Sequence, residues 1–108
     1  MMSLADKRWL TRVAMPIFNI PRLGIETSPS TKAYPDIWVT LGRLPVITVT
    51  ETWRRKPVHA RRSELVHELL HVKGLKHGRI DGMPFSTYPE EDSYSQWVYS
   101  QVRRKYGK

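Results

Sequence analysis

The chain has 108 residues, of which 40% are hydrophobic and 26% charged, with a formal net charge of +8 and no cysteine. This length sets a single domain over 1–108 as the expectation, and the apolar content argues against wholesale disorder. Without cysteine there is no disulfide, thiolate metal site or sulfur nucleophile, so a metal would have to sit on nitrogen and oxygen ligands.

In chain order, residues 3–15 read as a short helix capped by Ser3 and closed by Pro16. Thr27-Ser28-Pro29-Ser30-Thr31 reads as a loop from its hydroxyl and proline content. Ile37-Trp38-Val39-Thr40-Leu41 is rich in β-formers, and so is Val46-Ile47-Thr48-Val49-Thr50-Glu51, where apolar residues alternate with threonine. Gly42 to Pro45 would connect them, as a hairpin with an edge-facing proline. The clearest helix carries Leu65, Val66, Leu69, Leu70 and Val72 at spacings of three and four. Ser63 or the Pro57–Val58 junction would start it and Gly74 end it. A second helix is expected over 89–106, with Glu90, Glu91 and Asp92 at its N-terminus and Arg103, Arg104 and Lys105 at its C-terminus. Its apolar stripe would be Tyr94, Trp97, Val98 and Val102. The expected fold class is α+β, a small twisted sheet packed on the central helix and the C-terminal helix.

The chemistry concentrates in His67-Glu68-Leu69-Leu70-His71-Val72-Lys73-Gly74-Leu75-Lys76-His77. Histidines four apart on a helix share a face, about 6 Å apart along the axis, close enough to reach one ion. Gly74 would let the chain turn and bring His77 back as a third nitrogen. Three histidines leave a fourth tetrahedral corner for water, which is the arrangement of a catalytic zinc site, and one Zn2+ per chain is expected. Glu68, about 100° round the helix from His67, could reach a water on that ion as general base. Five specified residues in eleven positions arise by chance on the order of once in 10⁵ chains of this length or more rarely.

This window resembles the zinc motif of the metzincin metallopeptidases, H-E-x-x-H-x-x-G-x-x-H followed by a methionine turn. The resemblance spans roughly residues 46–83 and implies a minimal zincin-like domain that hydrolyses peptide bonds through a zinc-bound water activated by Glu68. It makes Met83 the candidate methionine beneath the metal and Gly74 the structural glycine, and casts the β-rich segment ahead of the helix as a substrate-pairing edge. A tyrosine hydroxyl could assist the oxyanion, with Tyr88 the candidate. The chain is much shorter than a usual metzincin domain, and the spacing is also similar to that of small SprT-like and minigluzincin-like peptidases. The YbeY-type endoribonucleases share H-x-x-x-H-x-x-G-x-x-H but typically carry a small residue where Glu68 stands. A non-catalytic metal-binding module is the third alternative.

The expected partner is a peptide or protein substrate. Nucleic acid is admitted by the basic charge, although the basic residues lie in dispersed clusters, Arg54-Arg55-Lys56, Arg61-Arg62 and Arg103-Arg104-Lys105. No stretch approaches the ~20 apolar residues of a membrane span. Residues 1–18 lack the uninterrupted apolar core of a signal peptide, so a cytoplasmic location is expected. His59 reads as a surface residue, and Trp38, Trp53 and Trp97 as core.

Overall fold

The computed structural model describes residues 1–107. Five α-helices and three strands follow one another as α1 (Leu4–Trp9), a π-helical turn (Leu10–Ala14), α2 (Met15–Ile17), β1 (Gly24–Ser28), β2 (Ile37–Thr40), β3 (Val46–Thr50), α3 (Glu51–Arg54), α4 (Val58–Val72) and α5 (Ser93–Tyr106). The architecture is α+β, with a three-stranded mixed sheet ordered β1-β3-β2. β1 pairs parallel to β3, and β2 pairs antiparallel to it.

The N-terminal helical segment starts as expected, the Ser3 hydroxyl accepting from the Asp6 N–H at 3.1 Å. Pro16 does not close it. Proline lacks an N–H and its ring collides with the carbonyl four residues back in an α-helix. Here the wider π turn precedes it, with the Met15 N–H bonding to the Leu10 carbonyl, and the helix continues to Ile17. The expected loop at 27–31 is a strand for its first two residues, because Thr27 and Ser28 pair with Val49 and Thr50. Hydroxyl residues suited to turns are overridden there by the partner strand.

β2 and β3 form the expected hairpin, but β3 is the central strand. Pro45 therefore stands just ahead of a central strand, not on an edge, and its carbonyl accepts from the Gly24 N–H at 2.8 Å. The segment 46–51 cannot serve as a pairing edge for the same reason, and β2 takes that position beside α4. Glu51 leaves the strand to begin α3, because the Thr50 hydroxyl caps that helix at the Trp53 N–H. The same hydroxyl donates to the Asp36 carbonyl at 2.7 Å.

The core joins Ile47 and Val49 of β3 to Trp53, to Leu65, Val66 and Leu69 of α4, and to Trp9 and Leu10 of the N-terminal segment. Full burial of a side chain such as Leu69 stabilises by roughly 1.5–3 kcal/mol. Arg61 on α4 reaches the buried Asp6 carboxylate with Nε at 3.0 Å and a second nitrogen at 3.3 Å, tying α1 to α4. α4 begins at Val58, after Pro57, so Ser63 lies inside it. α5 begins at Ser93, four residues later than Pro89. The Glu91 N–H closes a turn on the Tyr88 carbonyl, and Asp92 caps the helix at the Ser95 N–H. The face of α5 turned to the core carries Ser95, Tyr99 and Val102. Trp97 is 41% exposed, against Phe85 and Tyr94, so of Trp38, Trp53 and Trp97 only Trp53 is a core residue. Among the described residues, no helix is long and apolar enough to cross a membrane.

Candidate metal centre

α4 presents two faces. Leu65, Val66, Leu69 and Leu70 enter the core, while Glu64, His67, Glu68 and His71 border a cavity of about 690 Å3 between β2 and α5. The helix ends in a Schellman arrangement: the Gly74 N–H bonds to the His71 carbonyl at 2.9 Å and the Leu75 N–H to the Leu70 carbonyl at 3.0 Å. This requires a left-handed residue, and Gly74 supplies it at φ +96°. The reversal carries His77 back over the helix.

The outcome is a triangle of Nε2 atoms, with His67–His71 at 2.9 Å, His71–His77 at 3.0 Å and His67–His77 at 3.1 Å. The other ring nitrogens fix where the Nε2 lone pairs point. His67 Nδ1 lies 2.7 Å from Asp92 Oδ2, and His71 Nδ1 lies 2.7 Å from the Leu75 carbonyl oxygen. Both partners only accept, so both Nδ1 atoms carry the proton and both Nε2 atoms present lone pairs to the centre. Converging lone pairs repel one another unless a cation lies among them. Zinc bound at 2.0–2.1 Å with tetrahedral angles would hold such nitrogens about 3.3 Å apart, close to the separations seen. The three histidines can therefore hold a metal ion.

The segment carrying His77 is braced by Thr87, which sequence reasoning passed over. Its hydroxyl donates to the Lys76 carbonyl at 2.5 Å and accepts from the Gly78 N–H at 3.0 Å, while its own N–H reaches the Gly78 carbonyl at 2.7 Å. The sequence marks Asp92 only as a favourable charge at a helix start. In the fold it both caps α5 and orients His67, and a carboxylate fifteen residues beyond the third histidine carries no local signal of that role.

Glu68 is buried, with Oε2 3.9 Å from His67 Nε2, beside the triangle without belonging to it. Burial pushes its carboxyl up to about 7, against the opposing pull of His67 and of a hydrogen bond from the Val39 N–H. Burial also pulls His67 down, but the Asp92 carboxylate outweighs it and the net shift is upward. His77 is lowered by desolvation and by the two neighbouring rings.

Met83 is 39% exposed and Tyr88 40% exposed, and neither lines the cavity. The tyrosines that do are Tyr34 and Tyr99. The Tyr99 hydroxyl lies 2.5 Å from His59 Nδ1, so His59 is exposed as expected yet tethered at the far end of the cavity. Trp38 lines the cavity and is not core. Comparison with known protein families, curated proteins and solved structures finds no match for this chain.

Proposed function

We propose that this protein is a zinc-dependent metallopeptidase of a minimal zincin type, holding one zinc on His67, His71 and His77. The observation that carries the reading is the buried Glu68 carboxylate set 3.9 Å from the Nε2 of His67, beside three converging imidazoles that would supply the ligands. When bound, zinc supplies a Lewis acid and lowers the pKa of a coordinated water towards neutrality. Glu68, raised by burial, takes the proton of the attacking water and returns it to the leaving amine. Asp92 and the Leu75 carbonyl hold His67 and His71 in the ligating tautomer.

β2 offers the substrate an open strand edge. Alternate residues of an antiparallel edge strand face outward. The Asp36 carbonyl turns in towards Thr50, whereas the Val39 N–H turns out to Glu68. The backbone groups of Ile37 and Val39 thus point away from β3, and beyond the Val39 N–H held by Glu68 this edge is where an extended peptide can lie alongside the histidines.

The cavity's charge favours peptide over RNA. Five acidic side chains line it, Asp36, Glu64, Glu68, Glu90 and Asp92, of which Glu64 and Glu68 are pushed up to about 7 by burial, against Lys56 and Arg103. A phosphodiester would meet repulsion there, and the chain's excess positive charge lies outside the cavity. The test is to offer the zinc-loaded protein an unfolded protein and a structured RNA side by side. Zinc-dependent proteolysis supports the reading. RNA cleavage without proteolysis overturns it in favour of a YbeY-like nuclease.

A further inference from the structure

The cavity continues from the histidines along α4 towards His59, about 18 Å at 1.5 Å per residue. Its wall one turn before His67 is built from charge. Glu64 precedes Glu68 by four residues and so shares its face of the helix. Opposite stands Asp36, whose side chain is 8% exposed. Its carbonyl is fixed by the Thr50 N–H at 3.0 Å and the Thr50 hydroxyl at 2.7 Å, so the carboxylate is held in place from behind. Lys56 Nζ lies between the two acids, 2.9 and 3.0 Å from the Glu64 oxygens and ion-paired with Asp36.

One ammonium thus serves two carboxylates, and its positive charge is already engaged. The group is not sealed away, since the Lys56 and Glu64 side chains retain 36% and 27% of their exposure on the cavity side. Tyr34 and Trp38 line the strand side of the same space, and aromatic faces attract cations. Taking three ionisable groups out of water is costly, and apolar side chains would make a wall of the same shape more cheaply.

We propose that the Asp36–Lys56–Glu64 wall is a subsite for a cationic group of the substrate peptide, within one helical turn of the bond to be cleaved. The group is a Lys or Arg side chain or a free N-terminal amine. This deepens the peptidase reading and rests on it for the position of the scissile bond. The incoming cation gives Glu64 and Asp36 a second positive partner, and the substrate's aliphatic stem packs between Trp38 and α4.

The test measures binding apart from cleavage. Zinc-loaded Glu68→Gln protein is titrated, by fluorescence anisotropy, with short labelled peptides that differ at one position: Arg, citrulline (the same shape without charge) or Glu. Each is made with a free and with an acetylated N-terminus. A charge-assisted contact predicts that the Arg peptide binds about tenfold tighter than the citrulline peptide, with the Glu peptide weakest. Retention of the preference after acetylation assigns the side chain. Preference for any free N-terminus, lost on acetylation, assigns the amine. Adding Glu64→Gln should cut the charge preference to about threefold or less. If that variant folds poorly, the salt dependence of the unaltered wall gives the same information, because the Arg advantage should shrink as ionic strength rises. Equal affinity for Arg, citrulline and Glu peptides, with free and with acetylated N-termini alike, overturns the subsite. Cleavage by the wild type without charge preference leaves the peptidase and removes the subsite; charge preference without any cleavage does the reverse.

Discussion

Asp92 performs two tasks with two oxygens, and Asp92→Asn forces them to compete. Oδ2 accepts from His67 Nδ1 at 2.7 Å, and Oδ1 accepts from the Ser95 N–H at 3.1 Å as the cap of α5. Asparagine has one accepting oxygen and one donating nitrogen. If the oxygen stays at the cap, the amide N–H faces His67 Nδ1, whose proton must move to Nε2, the atom that points into the histidine triangle. If the amide flips, His67 keeps its acceptor and the cap is lost. Loss of such an outer partner typically costs 10–100-fold in metal affinity, about 1.4–2.7 kcal/mol. Weakening the cap costs about 0.5–2 kcal/mol of stability at most. Zinc affinity measured against a competing chelator, with melting of the metal-free protein alongside, separates the two outcomes. Asp92→Asn should lower the affinity at least tenfold or measurably weaken the fold. Unchanged affinity and unchanged melting together would refute the claim that Asp92 orients His67.

The same geometry sets three further expectations. His71→Ala should abolish stoichiometric zinc binding while His59→Ala leaves it near one per chain, since His59 is tied to Tyr99 and lies outside the triangle; equal loss from both refutes the ligand assignment. Zinc at a hundred times its Kd adds about 2.7 kcal/mol, which for a domain of this size raises Tm by about 10 °C or more, so chelation should lower Tm by that amount. The pH dependence should reverse sign on chelation. Glu64 and Glu68 are pushed up to about 7, chiefly by burial, and His67 is also raised. Groups with a raised folded pKa stabilise below their unfolded value and lose that contribution as pH rises through the folded one. The lowered His77 and His59 act in the opposite sense, but the two carboxyls carry the larger shifts, so the metal-free protein should melt lower at about pH 8 than at about pH 6. The zinc form should show the opposite, because protons compete for its histidines. A metal-free Tm that increases over this interval contradicts the burial argument.

The histidines and Glu68 were legible in the sequence because their roles are local: helix periodicity and one glycine are enough to bring 67, 71 and 77 together. The β2–β3 hairpin and α4 were legible for the same reason. What escaped depends on contacts distant in sequence. β1 exists because β3 pairs with it, although its own Thr27 and Ser28 favour turns. Asp92 acquires its second task only when α5 packs on α4, and Thr87 becomes a brace only when its segment folds back onto 76–78. The buried face of α5 is set by its packing on α4, which takes Ser95, Tyr99 and Val102 inward and leaves Trp97 outward, a choice the helix's own periodicity does not fix.

The most direct measurement of the central claim compares wild type with Glu68→Gln in the same preparation, reading zinc content and cleavage of an unfolded protein together. Glutamine matches glutamate in shape and can still hydrogen-bond, but it cannot take up a proton. The account predicts one zinc per chain in both proteins and a loss of proteolysis by ~10²–10⁴-fold in the variant. Proteolysis that survives the substitution at full zinc occupancy would contradict it.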